Sequence, residues 1–499
     1  MSLATRAAQT ALLAAWTPAY RRLVGVRDLA EVQADVLRRI VAANADSGFG
    51  RAHAFGAMRS VADYRAGVPL STWDDYAGPA ARIAAGEQGV LTTERVRLLE
   101  PTSGSTATTK LVPYTAGLAR EFQAGLQPWL HDILRAHPGV RSGRSYWSVT
   151  PVATRAGQAA VPVGFEEDTA YLGRLGERLL SLVLAVPSGV KHAPTMEEFR
   201  RRTSLALLAA DDLTLVSVWN PTFFTILLDW MVDHADELIG ELGGRVGGRR
   251  LALVASALAG RDFAVLWPRL ALVSCWADAH AAAPAAELAR RFPAATLQPK
   301  GLLATEATVT VPLERAGGAV LCARSHFYEF VDADGRARPA HELEVGSRYE
   351  VVVTTSGGLY RYRLGDLVEV TGRCGALPVL RFVGRADKVS DLVGEKLSEA
   401  AVGAALRAAG APSAMLVPDA DRYLVLVESD APGLAERVDA ALRAGFHYDY
   451  ARRLGQLRPV AVVVVPDLRR RHLAACVAAG QRLGDVKPTP LGPGGGWWT

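Results

Sequence analysis

Between residues 348 and 383 four strand-like runs, RYEVVVTT, GLYRYRLG, DLVEVTG and VLRFVG, follow one another with glycines between them and no helix-length segment. Strands joined by tight turns pair with their immediate neighbours, so this stretch predicts an antiparallel meander or small barrel. Upstream the pattern differs. LTLVSVW (213–219) is followed by the turn Asn220-Pro221, a helix over about 222–239, and apolar strands near 270–276 and 296–305. Alternating strand and helix signals predict an α/β layer. One chain must therefore house both, and 499 residues suit two or three domains.

After Gly384 the spacing predicts a helix over 398–409, strands at 413–417 and 422–428, a helix over 432–445 and a buried-type strand, VAVVVV, at 460–465. This α+β unit, of about 115 residues, is large enough to fold alone. The expected division is 1–383 and 384–499, with a hinge at 384–388. Near the start, AAQTALLAAW reads as an amphipathic helix rather than a signal peptide, and a second helix is expected over 27–43. At 96–114, VRLL and KLVPY read as strands flanking an exposed loop, with Thr115 as a helix cap. The closing KPTPLGPGGGWWT is expected to be irregular.

With 49% hydrophobic and 21% charged residues, the composition excludes disorder over most of the length. The net charge is +5, and the longest basic run is Arg469-Arg470-Arg471, a solvated helix start rather than a nucleic-acid footprint. Cys275, Cys322, Cys374 and Cys476 are far apart, so neither a disulfide framework nor a zinc site is expected. No apolar run approaches the ~20 residues of a membrane span, and a cytoplasmic monomer is expected. Six of the 56 basic residues are lysine: Lys110, Lys191, Lys300, Lys388, Lys396 and Lys487.

Five segments can carry chemistry. PTSGSTATTK (101–110) gathers hydroxyls around Gly104 and ends in Lys110, a composition that wraps polyphosphate with N–H groups, hydroxyls and one cation, and equally suits a solvated turn. It lacks the GxxxxGK[ST] spacing of a Walker A loop. In LLATEATVTVPL (302–313), Glu306 interrupts an apolar run; it suits Mg²⁺ beside a triphosphate, or an edge strand facing solvent. GLYRYRLGD (358–366) ends in Asp366, whose paired oxygens can accept both hydroxyls of a ribose, or serve a turn. In FVGRADKVSDLVGEKLSE (382–399), Arg385 is placed for a nucleotide and Asp387 and Lys388 at a pivot, and a charged linker has the same composition. Lys487, in GDVKPTP, is either a surface lysine or a cation on a loop that bridges carboxylate and phosphate.

Taken in order, TSGSTATTK, ATE, YRLGD, GRADK and Lys487 resemble the motif series of the adenylate-forming enzymes. The segments VLRRIVAANADSGFGRAHAF, KLVPYT, GLYRYRLGD, VGEKLSE, HYDYARRLGQL and VKPTP are most similar to the auxin-responsive (Gretchen Hagen) family of acyl acid amido synthetases, bacterial members included. The resemblance implies a large N-terminal adenylation domain, with α/β layers and a small antiparallel β-barrel, and a smaller mobile α+β domain. It implies ATP and Mg²⁺ as cofactors, and a small carboxylic acid and an amine or amino acid as substrates. By position it implies ATP contacts from Thr102, Ser103, Gly104, Ser105, Thr106, Lys110, Thr305, Asp366 and Arg385, Mg²⁺ at Glu306, and catalysis by Lys487. Ala107 and Thr109 depart from the glycine and proline of the wider pattern, leaving the loop's path and the role of Lys110 open. Trp219, Phe223 and Phe224 are candidates for an acyl pocket or for core packing, and His280 for catalysis or structure. An acyl- or aryl-CoA ligase shares the first half-reaction, and a ligand-binding relative without catalysis shares the site.

Overall fold

The chain enters on two helices, Leu3–Val24 and Leu29–Ala43. The second starts at Asp28, whose carboxylate accepts the Glu31 N–H at 2.9 Å, and it buries Leu29, Val36, Leu37, Ile40 and Val41 as the helical spacing requires. These coordinates are a computed structural model that describes residues 3–498, apart from 102–109, 149–159, 164–181, 387–388, 391, 394, 396, 454–455, 480 and 482–485. Strands β1 (Leu98–Pro101) and β2 (Leu111–Tyr114) pair antiparallel and bracket the hydroxyl-rich loop. Thr115 caps the helix Ala116–Ala136 by accepting the Leu118 N–H at 3.1 Å.

A parallel sheet follows, of β3 (Arg144–Trp147), β4 (Leu213–Ser217), β5 (Leu272–Cys275) and β6 (Thr296–Pro299), in the spatial order β3-β4-β5-β6. The helices Met196–Ala209, Pro221–Asp233, Gly248–Gly260 and Ala282–Arg291 bury their apolar faces in the same core as its strands. The helix expected over 222–239 is instead two, Pro221–Asp233 and Ala235–Leu242. They part at His234, whose ring bonds the Trp230 carbonyl oxygen. The strand expected to reach 305 stops at Pro299, because the following residues form a turn.

The antiparallel unit is a sheet of seven strands: β7 (Thr310–Leu313), β8 (Gly318–Leu321), β9 (Phe327–Val331), β10 (Ala337–Pro339), β11 (Arg348–Thr354), β12 (Tyr362–Cys374) and β13 (Leu377–Arg385). Their order is β10-β9-β11-β12-β13-β8-β7. Two runs read as separate strands, GLYRYRLG and DLVEVTG, join in β12, which takes the last four residues of the first and the whole of the second. Gly365, at φ +78°, absorbs the bend that seemed to be a break, and the register slips after Leu367.

Beyond it, β14 (Val389–Ser390) pairs with β15 (Leu397–Ser398), and β16 (Met415–Asp419), β17 (Arg422–Val427) and β18 (Ala461–Val464) form a three-stranded sheet. Its core, from Leu397 to Leu491, is separate from the cores of the two larger sheets. The VAVVVV run is not a buried strand: β18 is an edge, and Val464 is 50% exposed. The tail is irregular yet packed, with Trp498 against Met415, Val417 and Leu468. All four cysteines are free thiols. Among the described residues no helix is long and apolar enough to cross a membrane.

Candidate active site

Four segments far apart in sequence converge beside β12. Asp366 lies opposite Arg385 across the β12–β13 ladder. Arg385 Nη1 donates to Asp366 Oδ1 at 3.0 Å and Nη2 to the Leu364 carbonyl oxygen at 3.0 Å, while Asp366 is buried. Lys110, at the exit of the hydroxyl-rich loop, donates from Nζ to the Tyr362 hydroxyl at 3.3 Å on the same strand. Glu306 sits in a tight turn: Leu303 bridges Thr308, and the Ala304 N–H donates to the Ala307 carbonyl oxygen at 2.9 Å. Thr305, beside it, is partly exposed.

Glu306 is therefore not an edge-strand glutamate facing water; it is buried, with 8% of its surface accessible. Burial pushes its carboxyl above the usual glutamate range. Its own backbone N–H and the charges of Lys110 and Arg385 act against that rise, and Asp366 adds to it. The four side chains thus sense one another's charge. A buried carboxylate whose desolvation is only partly offset by two cations, with Asp366 beside it, suits a further cation, and Mg²⁺ typically takes one or two protein carboxylates and completes its shell with phosphate and water. No group of three or more His, Cys, Asp or Glu side chains placed to hold a metal ion occurs among the described residues.

The turn carrying Glu306 is gripped from behind by residues with no sequence signal of their own. The Thr308 N–H donates to His326 Nε2 at 3.2 Å, so Nδ1 carries the proton and donates to Glu121 Oε2 at 3.0 Å. The Thr308 carbonyl oxygen accepts from the hydroxyls of Tyr328 and Ser325. Glu121 also accepts the Ser356 N–H, tying the helix Ala116–Ala136 to the approach to β12.

Lys487 lies elsewhere, in a narrow cleft lined by Asn220 and Pro284 on one side and Met415 and Leu473 on the other. Its Nζ sits 5.3 Å from the Trp276 ring centroid, and the Asn220 side-chain amide donates to the adjacent Val486 carbonyl oxygen. Among the described residues it makes no ion pair with Glu306 or Asp366. Trp219 is partly exposed next to Trp276, with ring centroids 6.0 Å apart. Phe223 and Phe224 are buried in the core of the parallel sheet, the Phe224 ring beside those of Tyr146 and Phe292. Thr102, Ser103, Gly104, Ser105 and Thr106, and the hinge residues Asp387 and Lys388, lie outside the described residues, as does the side chain of His280.

The chain joins an α/β layer, an antiparallel sheet bearing an acidic–basic cluster and a small α+β unit. Within it, residues 25–246 match the GH3 family N-terminal domain and residues 319–385 the GH3 family central domain; the chain belongs to the GH3 family. It is similar to a probable indole-3-acetic acid-amido synthetase, GH3.6, of Oryza sativa subsp. japonica, at 39% identity over 119 residues, 21% of this chain and 24% of that protein. It is similar also to the indole-3-acetic acid-amido synthetase GH3.4 of Arabidopsis thaliana, at 36% over 83 residues, 15% of this chain and 14% of that one. These matches span about a quarter or less of the length of the curated relatives. The fold matches the AtGH3.15 acyl acid amido synthetase in complex with 2,4-DB at TM-score 0.83 and 18% identity, covering 97% of this chain and 94% of that one.

Proposed function

We propose that this protein is an ATP-dependent acyl acid amido synthetase, which adenylates a carboxylic acid and passes the acyl group to an amine, of which amino acids are the expected class. The observation that carries this reading is the convergence of Lys110, Glu306, Asp366 and Arg385 on one buried site. Triphosphate, ribose and metal need such a set, and a buried carboxyl raised by desolvation beside specific charge partners marks a candidate functional site.

In the first half-reaction an oxygen of the substrate carboxylate attacks the α-phosphorus of ATP in line, and pyrophosphate leaves with the electrons of the broken P–O bond. In the second, the amine nitrogen attacks the acyl carbon and AMP departs as the C–O bond breaks, the amine proton passing to solvent. Asp366 accepts the ribose hydroxyls, Arg385 and Lys110 meet phosphate charge, and Thr102 to Thr106 supply N–H and hydroxyl donors along the loop. Thr305 and Glu306 face the same nucleotide, and Glu306 is the residue to hold Mg²⁺. When bound, that ion screens the phosphate charge that repels an incoming carboxylate. Lys487 brings a slim ammonium between carboxylate and α-phosphate in the first half-reaction only.

That role requires movement, because Lys487 here rests on Trp276. We infer a domain at 1–383 and a mobile one at 384–499, pivoting at Asp387 and Lys388. The described seam carries the ion pair Arg469–Glu287 at 2.6 Å and the Asn220–Val486 bond, and Leu473 and Val486 pack into the core of the parallel sheet; such a movement has these contacts to break. Free thiols are consistent with a reducing, cytoplasmic setting, and we expect a monomer with no nucleic-acid or membrane partner. Incubation with ATP, Mg²⁺ and a panel of carboxylic acids, with either amino acids or coenzyme A as acceptor, tests the reading. Amide products are expected; thioester products alone, or no product from any pair, would overturn it.

A further inference from the structure

The turn that presents Glu306 uses only part of its own backbone. Its ladder bonds run from the Ala304 N–H to the Ala307 carbonyl oxygen and from the Val309 N–H to the Leu302 carbonyl oxygen, both at 2.9 Å, which makes Leu303 and Thr308 a non-hydrogen-bonded pair. The main-chain groups of Thr308 therefore point out of the turn, and since Thr308 is wholly buried they need partners in the protein. One short segment meets both. The carbonyl oxygen accepts from the Ser325 and Tyr328 hydroxyls, and the N–H donates to His326 Nε2 at 3.2 Å.

That segment is itself anchored on two sides. Gln33, buried in the helix Leu29–Ala43, donates to the carbonyl oxygens of Ala323 and His326 at 2.7 and 3.0 Å and accepts the Tyr328 N–H at 2.8 Å. On the other side His326 Nδ1 donates to Glu121 Oε2 at 3.0 Å, and the same carboxylate accepts the N–H and the hydroxyl of Ser356, between β11 and β12. The Glu121 carboxylate thus joins the Glu306 turn to the approach of the strand that carries Asp366. Gly125, one helical turn beyond Glu121, lets the helix Ala116–Ala136 pass close: a Cβ there would lie 2.6 Å from Thr308 Cγ2. The buried His326 ring lies edge-on to those of Phe122 and Tyr328, at 79° and 89°, which fixes its orientation.

Building on the nucleotide site of the amido synthetase reading, we propose that His326 and Glu121 are positioning residues. Together they set the Glu306 turn against Asp366, so that one carboxylate meets the metal at the phosphates while the other holds the ribose. Neither touches the reacting atoms. The two ring nitrogens of His326 do different work: Nε2 accepts from Thr308 and Nδ1 donates to Glu121. A glutamine amide falls near Nε2 and can replace the first bond, whereas an asparagine amide falls near Nδ1 and can replace only the second.

The test uses the full chain with His326→Asn, His326→Gln and Glu121→Gln. Two affinities are read: that for AMP without metal, by equilibrium dialysis, which depends on Asp366, and that for Mn²⁺·ATP, from the enhancement of water-proton relaxation, which depends on Glu306 as well. His326→Asn should weaken Mn²⁺·ATP about tenfold, the size of one buried hydrogen bond left unmade, and leave AMP within about twofold of wild type. His326→Gln should keep more of the Mn²⁺·ATP affinity than His326→Asn. Glu121→Gln, which retains an acceptor oxygen, should move Mn²⁺·ATP the same way by less, and it keeps the test open if the histidine variants fail to fold. A purely structural role would lower both affinities together. Equal loss of both, variants that keep the wild-type Mn²⁺·ATP affinity, or a His326→Gln variant weaker than His326→Asn overturns the proposal. A wild-type chain that binds neither ligand overturns the nucleotide site and the proposal with it. A chain that shows the expected shifts but forms no amide supports the positioning role and counts against the amido synthetase reading alone.

Discussion

Arg361, in the middle of GLYRYRLGD, is a test of what holds the site's strand in place. Its guanidinium makes two parallel bonds to Glu329, Nε to Oε2 at 2.8 Å and Nη2 to Oε1 at 2.9 Å, and Glu329 is almost wholly buried in β9. Nη1 also donates to the carbonyl oxygens of Arg65 and Val68, at 2.9 and 2.8 Å. The backbone of Arg361 is left-handed, at φ +47°, a conformation that a non-glycine residue holds only when its surroundings demand it. Arg361→Met leaves the Glu329 carboxylate buried with one remaining cation, Arg65, at 3.0 Å. Removing one partner of a buried pair costs about 3–5 kcal/mol, and the surviving Arg65 puts the expected loss near the lower end, ~3 kcal/mol. Amide hydrogen exchange in 327–331 and 349–354 reads this locally, and that cost predicts about a hundredfold loss of protection. Arg361→Met with Glu329→Gln should recover more than half of it, because no unpaired charge then remains. A single variant within about 0.5 kcal/mol of wild type, or a double variant worse than the single, refutes the reasoning.

Glu306→Gln should lower ATP–pyrophosphate exchange by about a hundredfold or more while leaving the melting temperature of the ligand-free protein unchanged or slightly raised, since burial disfavours the charge it removes. The same shift sets a pH dependence. With the folded-state pKa above the unfolded value, the Glu306 contribution to stability is present below the ordinary carboxylate range and fades as pH rises through the folded pKa; urea titrations of wild type and Glu306→Gln across acid to neutral pH should differ in that sense. Arg469→Ala removes a partly exposed ion pair to Glu287 and should cost under 1 kcal/mol, while changing the distance distribution between labels on the two domains; an unchanged distribution counts against a seam held by that pair. Val464→Lys, on an exposed edge strand, should leave stability within about 0.5 kcal/mol and slow aggregation measured by light scattering.

Much of the α/β pattern was legible because its helices carry one buried stripe each. Leu29–Ala43 and Glu399–Ala408 lie within a residue or two of their expected spans. Strand continuity was harder to see. Gly365 looks like a break in sequence and is a bend in β12, and the valines of β18 look buried but line an edge. Of the site, Lys110, Glu306, Asp366 and Arg385 were legible because each is a charge in a run that otherwise favours burial or a turn. Glu121 and His326 were not: their work is to fix the main chain of Thr308, a distant partner that no local pattern reveals.

The central claim is that two half-reactions share one site and that Lys487 serves only the first. Lys487→Ala measured in both halves tests it most directly: pyrophosphate release with a competent acid, and amide formation from the same acid supplied as its acyl-adenylate. The account predicts loss of the first by about a hundredfold or more with the second within a few-fold of wild type. Equal loss of both, or full retention of the first, would contradict it.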